Sequence, residues 1–97
     1  MVSETPLHQS DNPVCWREDI DALAFEPDDH RGFCMVHRLA FRTLLRFFPE
    51  PDDCVAFFRD QERAFQAAAR AKIVRRKIAH GVNFHLTSRD VIQQMGN

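Results

Sequence analysis

The segment RAKIVRRKIAHG, residues 70–81, holds six basic or potentially basic side chains in twelve positions. Such a run either tracks the phosphates of a nucleic acid or forms the wet side of an ordinary helix. On a helical wheel turning about 100° per residue, Arg59, Arg63, Arg70 and Lys77 fall on one narrow strip, with Gln66 beside them. Cys54, Phe58, Phe65, Ala69 and Ile73 fall on a second side, and Phe57, Ala64, Ala67, Ala71, Val74 and Ile78 on a third. The strip therefore reads as the solvent face of a helix buried on two sides. It is also the candidate binding surface, although no aromatic residue lies within it to stack bases. The pI of about 6.5 carries no basic excess. Arg38, Arg42 and Arg46, spaced by four, would extend the surface if the helices lie side by side.

Lys72 and Arg76 stand apart from that strip. They fall among Phe58, Phe65 and Ala69, where a charge is costly unless it is paired or snorkels. Lys72 is expected to lay its stem along Phe58, Phe65 or Phe84. Its ammonium should then meet an acid, with Glu62, Asp19 and Asp21 as candidates, or leave at the sheet edge.

Five His and three Cys invite a search for a metal site. Cys34 and His37 would project from opposite faces of a strand. His80 and His85 flank a Gly turn with no third ligand at suitable spacing. The expectation is no metal and no cofactor. No Gly-rich phosphate loop and no Gly-x-Ser-x-Gly elbow occur. A Cys34 dyad with His37 or His85 would rest on a buried, inert thiol. Asp28, Asp29, Asp52 and Asp53 are explained by turn chemistry and helix capping. No catalytic residue is assigned, and an enzyme is the least favoured class.

The elements that must position these groups follow from periodicity. IDALAF (20–25) and FCMVH (33–37) flank the turn-rich EPDDHRG and predict a β-hairpin. Phe33, Met35 and His37 would share one face of the second strand, Cys34 and Val36 the other. RLAFRTLLRFF (38–48) predicts a helix ended by Pro49. A long helix is expected from Pro51 to about His80, with Gly81 as its left-handed cap. VNFHL (82–86) predicts a third strand. Thr87 or Ser88 then caps a short helix that carries Asp90 in its first turn. The fold class is α+β: a small three-stranded, largely antiparallel sheet packed against helices, in the order β-β-α-α-β-α.

Ninety-seven residues make one domain with a modest core. Residues 1–16, polar and with two prolines, are expected to be a flexible tail, leaving 17–97 as the domain. The amino-terminal stretch has no apolar leader-like run, and no segment is long enough to span a bilayer. Three widely spaced Cys do not form a disulfide framework, so a reducing cytoplasm is expected. The net charge of −1 hides an asymmetry: residues 1–62 balance at −7 and residues 63–97 at +6.

Phe58, Arg63, Lys72, a later glycine, and Phe84-x-Leu86-x-x-x-Asp90, after a hairpin with a Cys-x-Val second strand, resemble the small bacterial family catalogued as domain of unknown function 1488. The resemblance covers roughly Ile20 to Val91. The chain departs from the family in being about two residues longer between Lys72 and the last strand, and in its amino-terminal extension. The resemblance implies a compact α+β domain and no particular activity. The expected function is a non-enzymatic protein-interaction module or homodimer in the cytoplasm. The alternative is nucleic-acid binding through Arg59, Arg63, Arg70 and Lys77. No membrane partner is expected.

Overall fold

The computed structural model describes residues 13–95. Four strands and four helices follow in the order β1 (Val14–Arg17), β2 (Ala22–Phe25), β3 (Cys34–His37), α1 (Arg38–Leu45), α2 (Pro51–Asp60), α3 (Glu62–Arg76), β4 (Phe84–Leu86) and α4 (Ser88–Ile92). The class is α+β, as expected. The sheet has four strands rather than three, in the spatial order β1-β2-β3-β4. The β1–β2 and β2–β3 pairs are antiparallel, and β3–β4 is parallel. The order is therefore β-β-β-α-α-α-β-α. Parallel neighbours cannot be joined by a tight turn, and the three helices between β3 and β4 supply the crossover that this pairing needs.

The extra strand corrects the expected tail. Residues 1–12 of that tail lie outside the described residues, but Val14–Arg17 pair along the whole of β2. An edge strand needs only one neighbour, so four alternating residues suffice. Val14 stands opposite Phe25, and Trp16 opposite Leu23. The connection turns through Asp21 at φ 53°, a left-handed conformation that Asp tolerates better than most residues.

Alternation then sorts the sheet into two faces. Val14, Phe25, Cys34 and Phe84 form one inward row, and Trp16, Leu23, Val36 and Leu86 the next. Phe41, Cys54, Phe58, Phe65, Ala68, Ala69 and Val91 from the four helices close over those rows as the main core. Cys15, Ala24, Met35 and His85 run across the other face.

The expected long helix is two helices. It breaks at Gln61, whose φ of −114° and ψ of 27° are not helical. The break lets Phe58 at the end of α2 and Phe65 in the first turns of α3 both enter the core, ring centroids 5.1 Å apart. The α3 helix also ends sooner, at Lys77 with φ 54°, and not at Gly81. The Ile78 N–H donates to the Ile73 carbonyl at 3.0 Å, closing the last turn while Ile78 packs on the core. Gly81, at φ 96°, serves the turn before β4 instead. Gly32 is required by contact: a Cβ there would lie 2.5 Å from the Val82 carbonyl oxygen. Among the described residues, no helix is long and apolar enough to cross a membrane.

Candidate functional site

The outward side of α1 is built from Leu39, Arg42, Thr43 and Arg46, the i, i+3, i+4, i+7 stripe of a helix. Phe41 points the other way and is fully buried. Arg46 adopts φ 71° and donates its N–H to the Arg42 carbonyl at 2.8 Å, so α1 stops at Leu45 rather than at Phe48. The chain then leaves the helix with Phe47 and Phe48 on the surface before Pro49 dips into the interior. The residue before a proline is disfavoured in the helical region, which is the local reason the two phenylalanines lie beyond the helix. Leu39, Phe47 and Phe48 are 58, 52 and 57% exposed. With Arg42, Thr43 and Arg46 they line a groove of about 900 Å³. A smaller groove shares Thr43 and Arg46 and is lined further by Leu44, Ile92 and Met95. Among the described residues, neither Arg42 nor Arg46 meets a carboxylate within ion-pair distance.

Arg38 holds this surface against the sheet. Its Nη2 lies 3.0 Å from Asp21 Oδ1, and its Nη1 donates to the Pro49 carbonyl at 3.1 Å. The guanidinium carbon also sits 5.6 Å from the Trp16 ring centroid and 5.1 Å from that of Phe48. One side chain thus joins the β1–β2 hairpin, the start of α1 and the segment after it. Arg38→Ala is expected to cost about 1.5–3 kcal/mol, the range for hydrogen bonds to a charged group. It should also change the emission of Trp16, the single Trp of the chain. Unchanged Trp16 emission together with an unchanged melting midpoint would show that Arg38 clamps nothing.

Lys72 is paired and mostly buried, as its place on the apolar side required. The partner differs from the expected Glu62, Asp19 or Asp21. Lys72 Nζ lies 2.9 Å from Asp90 Oδ2 and donates to the His85 carbonyl at 2.8 Å. The same Oδ2 accepts the Thr87 backbone N–H at 2.8 Å, while Arg75 Nη2 stands 3.4 Å from Oδ1. Asp90 N–H donates back to Thr87 Oγ1 at 3.2 Å, completing a reciprocal cap on α4. Glu62 pairs instead with Arg59 at 3.3 Å, Asp19 with Arg17, and Asp21 with Arg38. The side chains of Lys72 and Asp90 are 14 and 13% exposed. Burial pushes the Asp90 carboxyl up, but the Thr87 N–H and the Lys72 ammonium outweigh it and hold the carboxyl below its ordinary value. Lys72 thereby also occupies an outward carbonyl of the edge strand β4.

The basic strip is dispersed by the break at Gln61. Arg59 lies on α2, with its guanidinium carbon 5.9 Å from the Phe58 ring centroid and Glu62 in ion-pair range. Arg63 and Arg70 lie exposed on α3, and Lys77 is its left-handed cap. Arg70 borders a cleft that also contains Glu26, Asp28, Asp29, His30, Arg31 and His80. Carboxylates there offset the field a phosphate would seek. His30 is buried and donates from Nε2 to the Val82 carbonyl at 2.8 Å, which ties the cleft wall to the turn before β4. Of the family-like positions, Phe58, Phe84 and Leu86 are core residues, Lys72 is the ion-paired lysine, and Arg63 is exposed.

The cysteines and remaining histidines lie as strand parity demands. Cys34 faces the main core, whereas His37 and His85 stack on the opposite face with ring centroids 6.5 Å apart. Burial pushes the Cys34 thiol strongly up and the Cys54 thiol up to about 11. Cys15 is exposed. Alkylation at about pH 8, near the ordinary thiol pKa, is therefore expected to label Cys15 alone in the folded chain and all three cysteines after denaturation. Fast labelling of Cys34 without unfolding would contradict this packing.

No family model, curated protein or solved structure matches the chain.

Proposed function

We propose that this protein is a small cytoplasmic, non-enzymatic interaction module that docks another protein on the exposed face of α1. One observation carries the reading: Leu39, Phe47 and Phe48 stand together in water beside Arg42 and Arg46. Contiguous exposed apolar surface marks interaction sites, and aromatic residues with Arg are enriched in the cores of interfaces. Kinship with domain of unknown function 1488 forms part of the same proposal and rests on the spacing of Phe58, Arg63, Lys72, Phe84 and Leu86.

The α1 face is a poor match to a second copy of itself. A two-fold pairing would bring Arg42 and Arg46 against their own copies, and like charges across an interface oppose association. Nucleic acid is the second reading. Phe47 and Phe48 beside two free guanidinium groups supply the stacking surface that the Arg59–Lys77 strip lacks. The aliphatic lining of the neighbouring groove, Leu44, Ile92 and Met95, favours a protein.

A photo-cross-linking amino acid at position 48, with one at the 72% exposed Val74 as control, tests the reading in cells. The expected result is a discrete protein adduct from position 48, lost on Arg46→Glu and absent from position 74. Adducts with RNA, an adduct at twice the 11.3-kDa chain mass, or the same adducts from both positions would overturn it.

A further inference from the structure

We infer that the α1 face takes an acidic amphipathic segment, with large apolar side chains in the two grooves and carboxylates on Arg42 and Arg46. The inference rests on the docking reading above and specifies its partner. Three observations lead to it. The two grooves share Thr43 and Arg46 in their linings, so apolar anchors seated in both lie next to the Arg46 cation. Leu39, Phe47 and Phe48 line one groove and Leu44, Ile92 and Met95 the other, which suits aliphatic or aromatic anchors on both sides. The third observation is charge. Among the described residues Arg42 and Arg46, like several other surface cations, meet no carboxylate within ion-pair distance; what sets these two apart is that they line a groove with Leu39, Phe47 and Phe48. These two cations flank the most exposed aromatic residues of the described chain.

The free cations set the sign of the partner. A basic segment would bring like charge onto Arg42 and Arg46 as the grooves fill, and a neutral one would desolvate both guanidinium groups without replacing their water contacts. A carboxylate meets Arg in a two-point geometry, and Arg tolerates desolvation better than Lys. The arrangement therefore selects for acid beside the apolar anchors. Among the described residues, the acidic front half brings no carboxylate within ion-pair distance of these two.

Fluorescence anisotropy on the full chain tests this with labelled peptides of about fifteen residues, the length at which isolated helices become marginal. All share Phe and Leu on one helical stripe. Between these they carry only acidic, only neutral polar, or only basic residues. A thymidine oligonucleotide of similar length is the fourth probe. The acidic peptide is expected to bind at least about fivefold more tightly than the neutral one, the outcome of two modest ion pairs at an interface rim. The preference should shrink between about 50 and 200 mM salt. Phe48→Ser should abolish binding while lowering the melting point by only a few degrees, through its lost contact with Arg38, and Arg42→Glu should shift preference toward the basic peptide with melting unchanged. Equal binding of all three peptides, lost on Phe48→Ser, would overturn the acidic partner while leaving the docking reading intact. So would failure of every peptide while position 48 still cross-links to a protein. Tightest binding of the oligonucleotide, abolished by Phe48→Ser, would overturn both.

Discussion

Replacement of Phe65 by Ala is expected to destabilise the domain by about 3–5 kcal/mol, the range for emptying a buried phenylalanine site. Phe65 is fully buried, and its ring lies 5.1 Å from Phe58, 5.8 Å from Phe41, 6.1 Å from Phe57 and 6.4 Å from Phe25, centroid to centroid. These rings come from β2, α1, α2 and α3, so one cavity loosens every layer at once. Rigid aromatic neighbours fixed to separate elements collapse poorly into a void. A domain of this size has about 5–15 kcal/mol in total, so the variant should melt roughly 20 °C lower or fail to fold. Phe47→Ala, at a half-exposed site in no ring pair, should stay within about 0.5 kcal/mol of the parent. Equal melting points for the two variants in thermal denaturation would remove Phe65 from the centre of the core.

Asp90→Ala is the second large effect, expected to cost about 3 kcal/mol. It removes the reciprocal cap with Thr87, worth about 1 kcal/mol. It also leaves the Lys72 ammonium in a mostly buried place with only the His85 carbonyl. An unpaired buried charge costs more than the pair contributes. Lys72→Met should therefore be mild, because Asp90 keeps the Thr87 N–H and Arg75 while the apolar isostere needs no desolvation. Lys72→Glu would set two carboxylates together and should cost a few kcal/mol. The order Lys72→Met, Asp90→Ala in rising damage is the diagnostic result, and its reversal in chemical denaturation would disprove the pairing argument.

The same carboxylate gives a pH signature. The Asp90 carboxyl is held below its ordinary value in the folded chain, so the unfolded chain binds its proton more readily. Stability from Asp90 is then fully present above the ordinary carboxyl pKa of about 3.9 and is lost as pH falls through the lower folded value. Acid unfolding of the parent should steepen below about pH 4, and Asp90→Asn should flatten that limb. An identical acid limb in parent and variant would show that Asp90 contributes nothing to acid stability.

Much of this architecture was legible in residue order because its causes are local. The alternation in FCMVH assigned Cys34 and Val36 to one face of β3 and Met35 and His37 to the other. Pro51 with Asp53 set the start of α2, and Thr87 with Asp90 the start of α4. Lys72 on an apolar stripe announced a paired charge before any partner was visible. The α+β class followed from the same periodicities.

What tertiary structure decided was whatever depended on which distant groups meet. The Val14–Arg17 strand exists because Val14 and Trp16 find Phe25 and Leu23 across a turn, and four residues alone carry too little alternation to announce themselves. The helix broke at Gln61 and ended at Lys77 because Phe58, Phe65 and Ile78 all had to reach one core, a demand stronger than the propensity of the alanine run. Lys72 found Asp90 rather than Glu62 because a parallel crossover returned β4 and α4 to the side of α3. The docking face arose the same way. Arg42, Arg46, Phe47 and Phe48 are adjacent in the chain, but periodicity gives helical arginines and a pair of phenylalanines before a proline no reason to stay exposed together. Their exposure was decided when Phe41 took the core side of α1, Arg46 turned left-handed and Arg38 pinned Pro49.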